Sequence, residues 1–334
     1  MRFDLVRQPL VPAFLSLVIF MVLAMTHTAS SIILSDTYYN LAPESLPIAS
    51  LQTYVSNFAT TYNGWAHIIG GFLVLFSALT IGRMTARFKL YGINTFIAMP
   101  LYALALAGMM QSPYWFVGLV ASTLFTLVVK NYCYGFRNGF SFDNMFRAAM
   151  YLALLTMLYP KATPLLLTLP MAVILFRRAT RESLVALCGL LLPPLTLCYI
   201  NWGAGGSFHA PMVLLYQQFI DGSWLSVLTQ ASLPTMIFIG TLIALNLAAY
   251  LLFRVNSYIL STRSRNTLLF ASYLMLLCIS LMLMPDAEST IIGLFAVPSA
   301  LLLPVFFLRV RRSLAQILYP IVIAGVLVFL LFGC

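Results

Sequence analysis

Charge is what this 334-residue chain has least of: only 8% of its residues are Asp, Glu, Lys or Arg. An ordinary water-soluble domain carries about 25%. With 62% hydrophobic residues and a mean hydropathy of +0.97, a soluble globule is excluded. Acids are scarcest, 8 against 18 Lys and Arg, and there are 3 histidines. The five cysteines (Cys133, Cys188, Cys198, Cys278, Cys334) have no CxxC or Cys/His spacing, so neither a metal centre nor a disulfide framework is indicated. No phosphate loop, dinucleotide fingerprint, HExxH or nucleophile elbow occurs, and no cofactor is evident. No long polar segment, internal repeat or low-complexity linker interrupts the pattern, so residues 1–334 read as a single integral membrane domain.

Long apolar runs are what the chain does have. A bilayer core about 30 Å thick is crossed by about 20 apolar helical residues. That ruler gives spans near 11–34, 63–82, 90–110, 113–129, 146–159, 162–176, 183–201, 232–253, 267–284, 290–308 and 314–332. The expected fold is therefore all-α: a polytopic transmembrane helical bundle of about eleven spans, including a short Pro-broken hairpin. The longest stretches between spans are 35–62, 130–145 and 202–231. The opening MRFDLVRQPLVPAFLSLVIFMVLAM has the charged front of a signal peptide, but its apolar stretch is long and no small-x-small site follows. It reads as a retained signal anchor.

The basic residues orient these spans. Arg2 and Arg7 precede the first; Arg83, Arg87 and Lys89 follow the second; Lys130, Arg137 and Arg147 lie between the fourth and fifth. Arg177, Arg178 and Arg181 follow the sixth, Arg254, Arg263 and Arg265 the eighth, and Arg309, Arg311 and Arg312 the tenth. Eleven crossings from a cytoplasmic N-terminus put all of these on the cytoplasmic side and the C-terminus in the periplasm, as the positive-inside rule requires. The net charge of +10 is thus a topology signal and no evidence for nucleic acid.

Lys161 is the exception. It lies in MLYPKATPLLL, between cytoplasmic Arg147 and Arg177, so residues 147–176 must go out and return with YPKATP at the tip. Each arm has about 14 residues, roughly 21 Å of helix, and Pro160 and Pro164 preclude a continuous one. Irregular backbone at that depth survives only when buried in protein or lining a water-filled cavity. Two readings stand: Lys161 floors an outward-facing cavity, or it snorkels to lipid phosphate at the outer headgroups.

Two outside loops hold the remaining titratable candidates. In the first, Asp36 directly follows span one, and Leu51, Tyr54, Val55 and Phe58 have the spacing of a surface-lying helix. A carboxylate there could act as general base or hold a divalent cation against a phosphate; otherwise it is a solvated loop aspartate. The second contains Gly203, Gly205 and Gly206, then His209, Asp221 and a surface-lying or re-entrant stretch 211–228 with Tyr216, Phe219 and Trp224. His209 could transfer protons or simply hydrogen-bond within its loop. His27, His67 and Asn246 lie in or beside spans and are expected to bond to neighbouring helices.

Residues 144–202, NMFRAAMYLALLTMLYPKATPLLLTLPMAVILFRRATRESLVALCGLLLPPLTLCYINW, resemble the central segment of an uncharacterised family of bacterial multi-spanning inner-membrane proteins. The shared order is an Asn/Arg start, a short span, a Tyr-Pro turn, a second short span, an Arg-rich elbow and a span ending in Pro and aromatics. That resemblance implies the bacterial inner membrane and no particular activity. The first 200 or so residues also resemble, more loosely, membrane glycosyltransferases of the GT-C type, which use polyprenyl-phosphate sugars at the outer face. By that resemblance Asp36 would be the catalytic carboxylate, and Lys161, with His209 and Asp221, would contact lipid phosphate or substrate. The chain departs from the type: QSPYW (111–115) has no acidic residue, and residues 1–334 include no large soluble domain. The expectation is an envelope-biogenesis protein, with a GT-C-like enzyme as its sharper form. A non-catalytic scaffold and a transporter or flippase are the alternatives.

Overall fold

An apolar run deprived of water satisfies its own amides only by winding into a helix, and this chain does so almost throughout. The computed structural model describes residues 9–31, 51–112, 114–134, 141–220, 232–284 and 290–332. Among them are 13 α-helices and no strand. They are α1 (Leu10–Ser31), α2 (Leu51–Thr61), α3 (Asn63–Arg87), α4 (Ala98–Met110), α5 (Trp115–Tyr134), α6 (Phe142–Leu158) and α7 (Thr168–Leu175). After these come α8 (Thr180–Gly203), α9 (Ala210–Ile220), α10 (Leu233–Val255), α11 (Thr262–Leu281), α12 (Thr290–Arg309) and α13 (Arg312–Phe332). Seven of them, α3, α5, α8, α10, α11, α12 and α13, are long and apolar enough to cross a membrane. Each of the eleven apolar segments read from the sequence contains helix.

Beyond shifts of a few residues at helix ends, two segments differ in kind from the sequence reading. The third, expected over 90–110, is helical only over Ala98–Met110, because Lys89 and Gly92 both adopt positive φ (47° and 76°) and turn the chain first. All 13 residues of α4 are buried. A helix enclosed by protein on every side need not match the thickness of a bilayer. The sixth segment returns from Tyr159 as a 3₁₀ helix, Pro160–Leu167, and only then as α7. Eight residues is long for a 3₁₀ helix, which rarely exceeds four. Pro160 and Pro164 lack the amides an α-helix would need there. The outgoing arm α6 begins four residues before its expected span, at Phe142.

The core is α4 with α12, whose most apolar stretch is 89% buried. Around this pair stand α1, α3, α5, α10, α11 and α13. α6 leans on α5, and α8 rests on α6 at the periphery, with only 22% of its apolar stretch buried. Glycines allow the closest approaches: Met109 of α4 sits over both Gly118 of α5 and Gly293 of α12, and Gly108 faces the Phe238 ring of α10. Polar side chains tie the helices where no water competes. Ser77 donates to Thr123 (3.0 Å), Tyr102 bonds Ser122 (2.8 Å), and Asn246 donates to Ser299 (3.0 Å). His67 is a packing histidine, bonding the Asn63 carbonyl (2.8 Å) and lying against Trp115. The His27 side chain lies outside the described residues.

Candidate functional site

Side-chain contacts gather the charged helix ends at one end of the molecule. Arg87, in the last turn of α3, bonds the Tyr134 hydroxyl at the end of α5. Arg263 of α11 stacks 3.8 Å over Phe88, and Ser264 donates to the Lys89 carbonyl (3.5 Å). Asn266 of α11 donates to the Leu175 carbonyl at the end of α7 (3.1 Å). Arg178 donates to the Tyr132 carbonyl (3.2 Å) and to the Ser141 hydroxyl (2.8 Å). Four of the basic stretches that the sequence assigns to one side therefore meet.

At the centre of this end is a buried ion pair. Arg178 and Glu182 lie 3.9 Å apart with side chains 5% exposed. One Glu182 oxygen accepts from the Ser141 amide and hydroxyl (2.5 and 3.2 Å), the other from the Ala179 amide (3.4 Å). The group joins the end of α5 to the starts of α6 and α8. Burial lowers the Arg178 pKa from its usual value, and the Glu182 carboxylate opposes that shift. In the sequence Arg178 belongs to the Arg-rich elbow, and only its i, i+4 spacing from Glu182 hints at the pair.

A second feature of this end had no sequence signal. α3 and α7 both finish in Schellman motifs. In the first, Leu90 N–H bonds Thr85 O and Lys89 N–H bonds Ala86 O (both 3.1 Å); in the second, Arg178 N–H bonds Val173 O (3.0 Å) and Arg177 N–H bonds Ile174 O (3.3 Å). The left-handed position of such a motif is usually glycine. Here it is Lys89 (φ 47°) and Arg177 (φ 49°), a conformation costing about 1 kcal/mol for a residue with a Cβ. α8 closes with the same pattern at the far end, Gly206 N–H to Asn201 O and Gly205 N–H to Trp202 O (both 3.0 Å), and there the residue is Gly205 (φ 90°).

That far end holds two of the candidates read from the sequence, Lys161 and His209. Lys161, half-buried, is the second residue of the 3₁₀ helix. Pro160, Ala162 and Leu165 are buried, and the segment packs against α6, α9 and α11. The irregular backbone is thus held by protein, as its depth demands. His209, exposed, directly precedes α9, and its ring meets Phe208. Asn201 shapes the bend after α8 by donating to the Ser207 carbonyl (2.7 Å). The α9–3₁₀ contact brings the His209 and Lys161 elements together. α2 also sits at this end, with Phe58 against Phe116 at the start of α5. Asp36 and Asp221 lie outside the described residues. Both described carboxylates, Asp143 and Glu182, are at the opposite end. Among the described residues no group of three His, Cys, Asp or Glu could hold a metal. What these residues offer chemically is the Lys161 ammonium and the His209 imidazole, on segments whose helices pack together. Comparison with protein families, curated proteins and solved structures finds no match.

Proposed function

We propose that the chain crosses the bacterial inner membrane eleven times, from a cytoplasmic N-terminus to a periplasmic C-terminus, and acts at the outer face in envelope biogenesis. In this reading Lys161 and His209 contact the phosphate of a lipid-linked substrate, such as a polyprenyl-phosphate sugar. Asp36 is the catalytic carboxylate of a GT-C-like transfer, and Asp221 or a divalent cation assists at the phosphate. The observation that carries the reading is the docking of α9 on the Lys161 segment. It brings the helix that follows His209 onto the segment that carries Lys161, at the end away from the clustered arginines. A charge kept in so apolar a chain marks function before packing.

The test is complementation of a deletion strain with Lys161→Ala and with Asp36→Ala, membrane insertion being verified for each. Both variants are expected to leave envelope glycan or lipid composition at the deletion profile. If both restore the wild-type profile, the catalytic assignment is wrong and a non-catalytic scaffold takes its place.

A further inference from the structure

We propose that the arginine-rich end carries a binding surface for anionic phospholipid headgroups, centred on Lys89 and Arg177. The proposal rests on the membrane part of the reading above and is independent of the outer-face chemistry. Three helices close with one hydrogen-bond pattern, yet glycine takes the left-handed position only in α8, at the far end. At the arginine-rich end that position holds a cation in both motifs, so the side chain is kept against the preference of its own backbone.

Both motifs lean on the same helix, α11. The first turns of α11 hold both motifs, Ser264 at the Lys89 carbonyl and Asn266 at the Leu175 carbonyl. Lys89, Arg177 and Arg265 are exposed, and Arg263 of α11 stacks over Phe88, next to Lys89 in the chain. No described carboxylate competes for them, since Asp143 pairs with Arg147 and Glu182 with Arg178. The patch also continues into apolar surface: Ile174, one turn before Arg177, is 75% exposed. A soluble polyanion would need only the charge. A phospholipid needs the cation and the apolar flank together, with phosphate on Lys89 or Arg177 and acyl chain along α7.

The experiment reconstitutes the full chain into nanodiscs of phosphatidylcholine alone and of phosphatidylcholine with phosphatidylglycerol. Lipid retained after extraction is read by native mass spectrometry, and Tm by thermal unfolding. Wild type should enrich phosphatidylglycerol, and added salt should erode the enrichment. The double variant Lys89→Gly, Arg177→Gly should lose about tenfold of it or more, as expected from two surface cations, while melting at or above wild type in the neutral discs. The charge-keeping variant Lys89→Arg, Arg177→Lys should retain it. Unchanged enrichment in the glycine variant would overturn the proposal. So would a lower Tm in neutral discs, which would mean that these cations serve the helix ends. Wild type that enters no disc refutes the membrane reading, and this proposal with it.

Discussion

The same i, i+4 spacing of acid and base has two different meanings in this chain. Asp143 and Arg147 are 2.8 Å apart, but their side chains are 57% to 68% exposed, and such a pair contributes about 0.5 kcal/mol or less. Arg178 and Glu182 are 5% exposed. Removing one partner of a buried pair strands the other charge, at about 3–5 kcal/mol. Glu182→Ala should therefore lower the Tm of the reconstituted protein sharply, because the Ser141 and Ala179 amides lose their acceptor as well. Asp143→Ala should leave Tm nearly unchanged. Equal effects in a thermal melt would show that the elbow is not buried as described. At this scale the sequence was least legible. Burial distinguishes the two pairs, and it arises from the ends of α5, α6 and α8 meeting, which no local spacing records. The left-handed Lys89 and Arg177 are likewise invisible as motifs, since glycine is the residue by which such a turn is ordinarily recognised.

Helices are legible from apolar runs because the physics is local, whereas their neighbours are not. α10 and α13 coincide with segments read from hydropathy to within two residues at either end. α4 does not, since a run of 21 apolar-rich residues cannot tell a helix wrapped in protein from one facing lipid. The prolines around Lys161 foretold a break, though not that the return would coil as 3₁₀. Glycine in a helix has a similar ambiguity, and the structure removes it. A Cβ on Gly189 of α8 would sit 2.5 Å from the Phe146 main-chain oxygen of α6, whereas Gly240 and Gly325 have nothing within 4 Å. Gly189→Ala should force α6 and α8 apart and destabilise by about 1–3 kcal/mol. Gly240→Ala and Gly325→Ala should be neutral or stabilise by up to about 1 kcal/mol through helix propensity. Tm values of the three variants in one detergent decide it, and a benign Gly189→Ala would contradict the close α6–α8 packing.

For the whole molecule, the distribution of charge is the most informative part of the sequence, and it can be set against independent contacts. The positive-inside argument places the stretches after spans two, four, six and eight on one side; side-chain bonds bring Arg87, Lys89, Arg178 and Arg263 to one end of the helices. The opposite ends also meet: Gln111, after α4, donates to the Phe329 carbonyl of α13 (3.1 Å), and Phe238 near the start of α10 stacks on Phe329 at 4.8 Å. In the proposed topology residue 207 and residue 265 lie on opposite faces of the membrane. A reporter fused after Ser207 is therefore expected to be active only in the periplasm, and one fused after Arg265 only in the cytoplasm. Cysteine labelling at Thr163 should agree with the first fusion. If Thr163 reacted only from the cytosol, the Lys161 turn would lie among the arginines, and an outer-face role for it would be untenable.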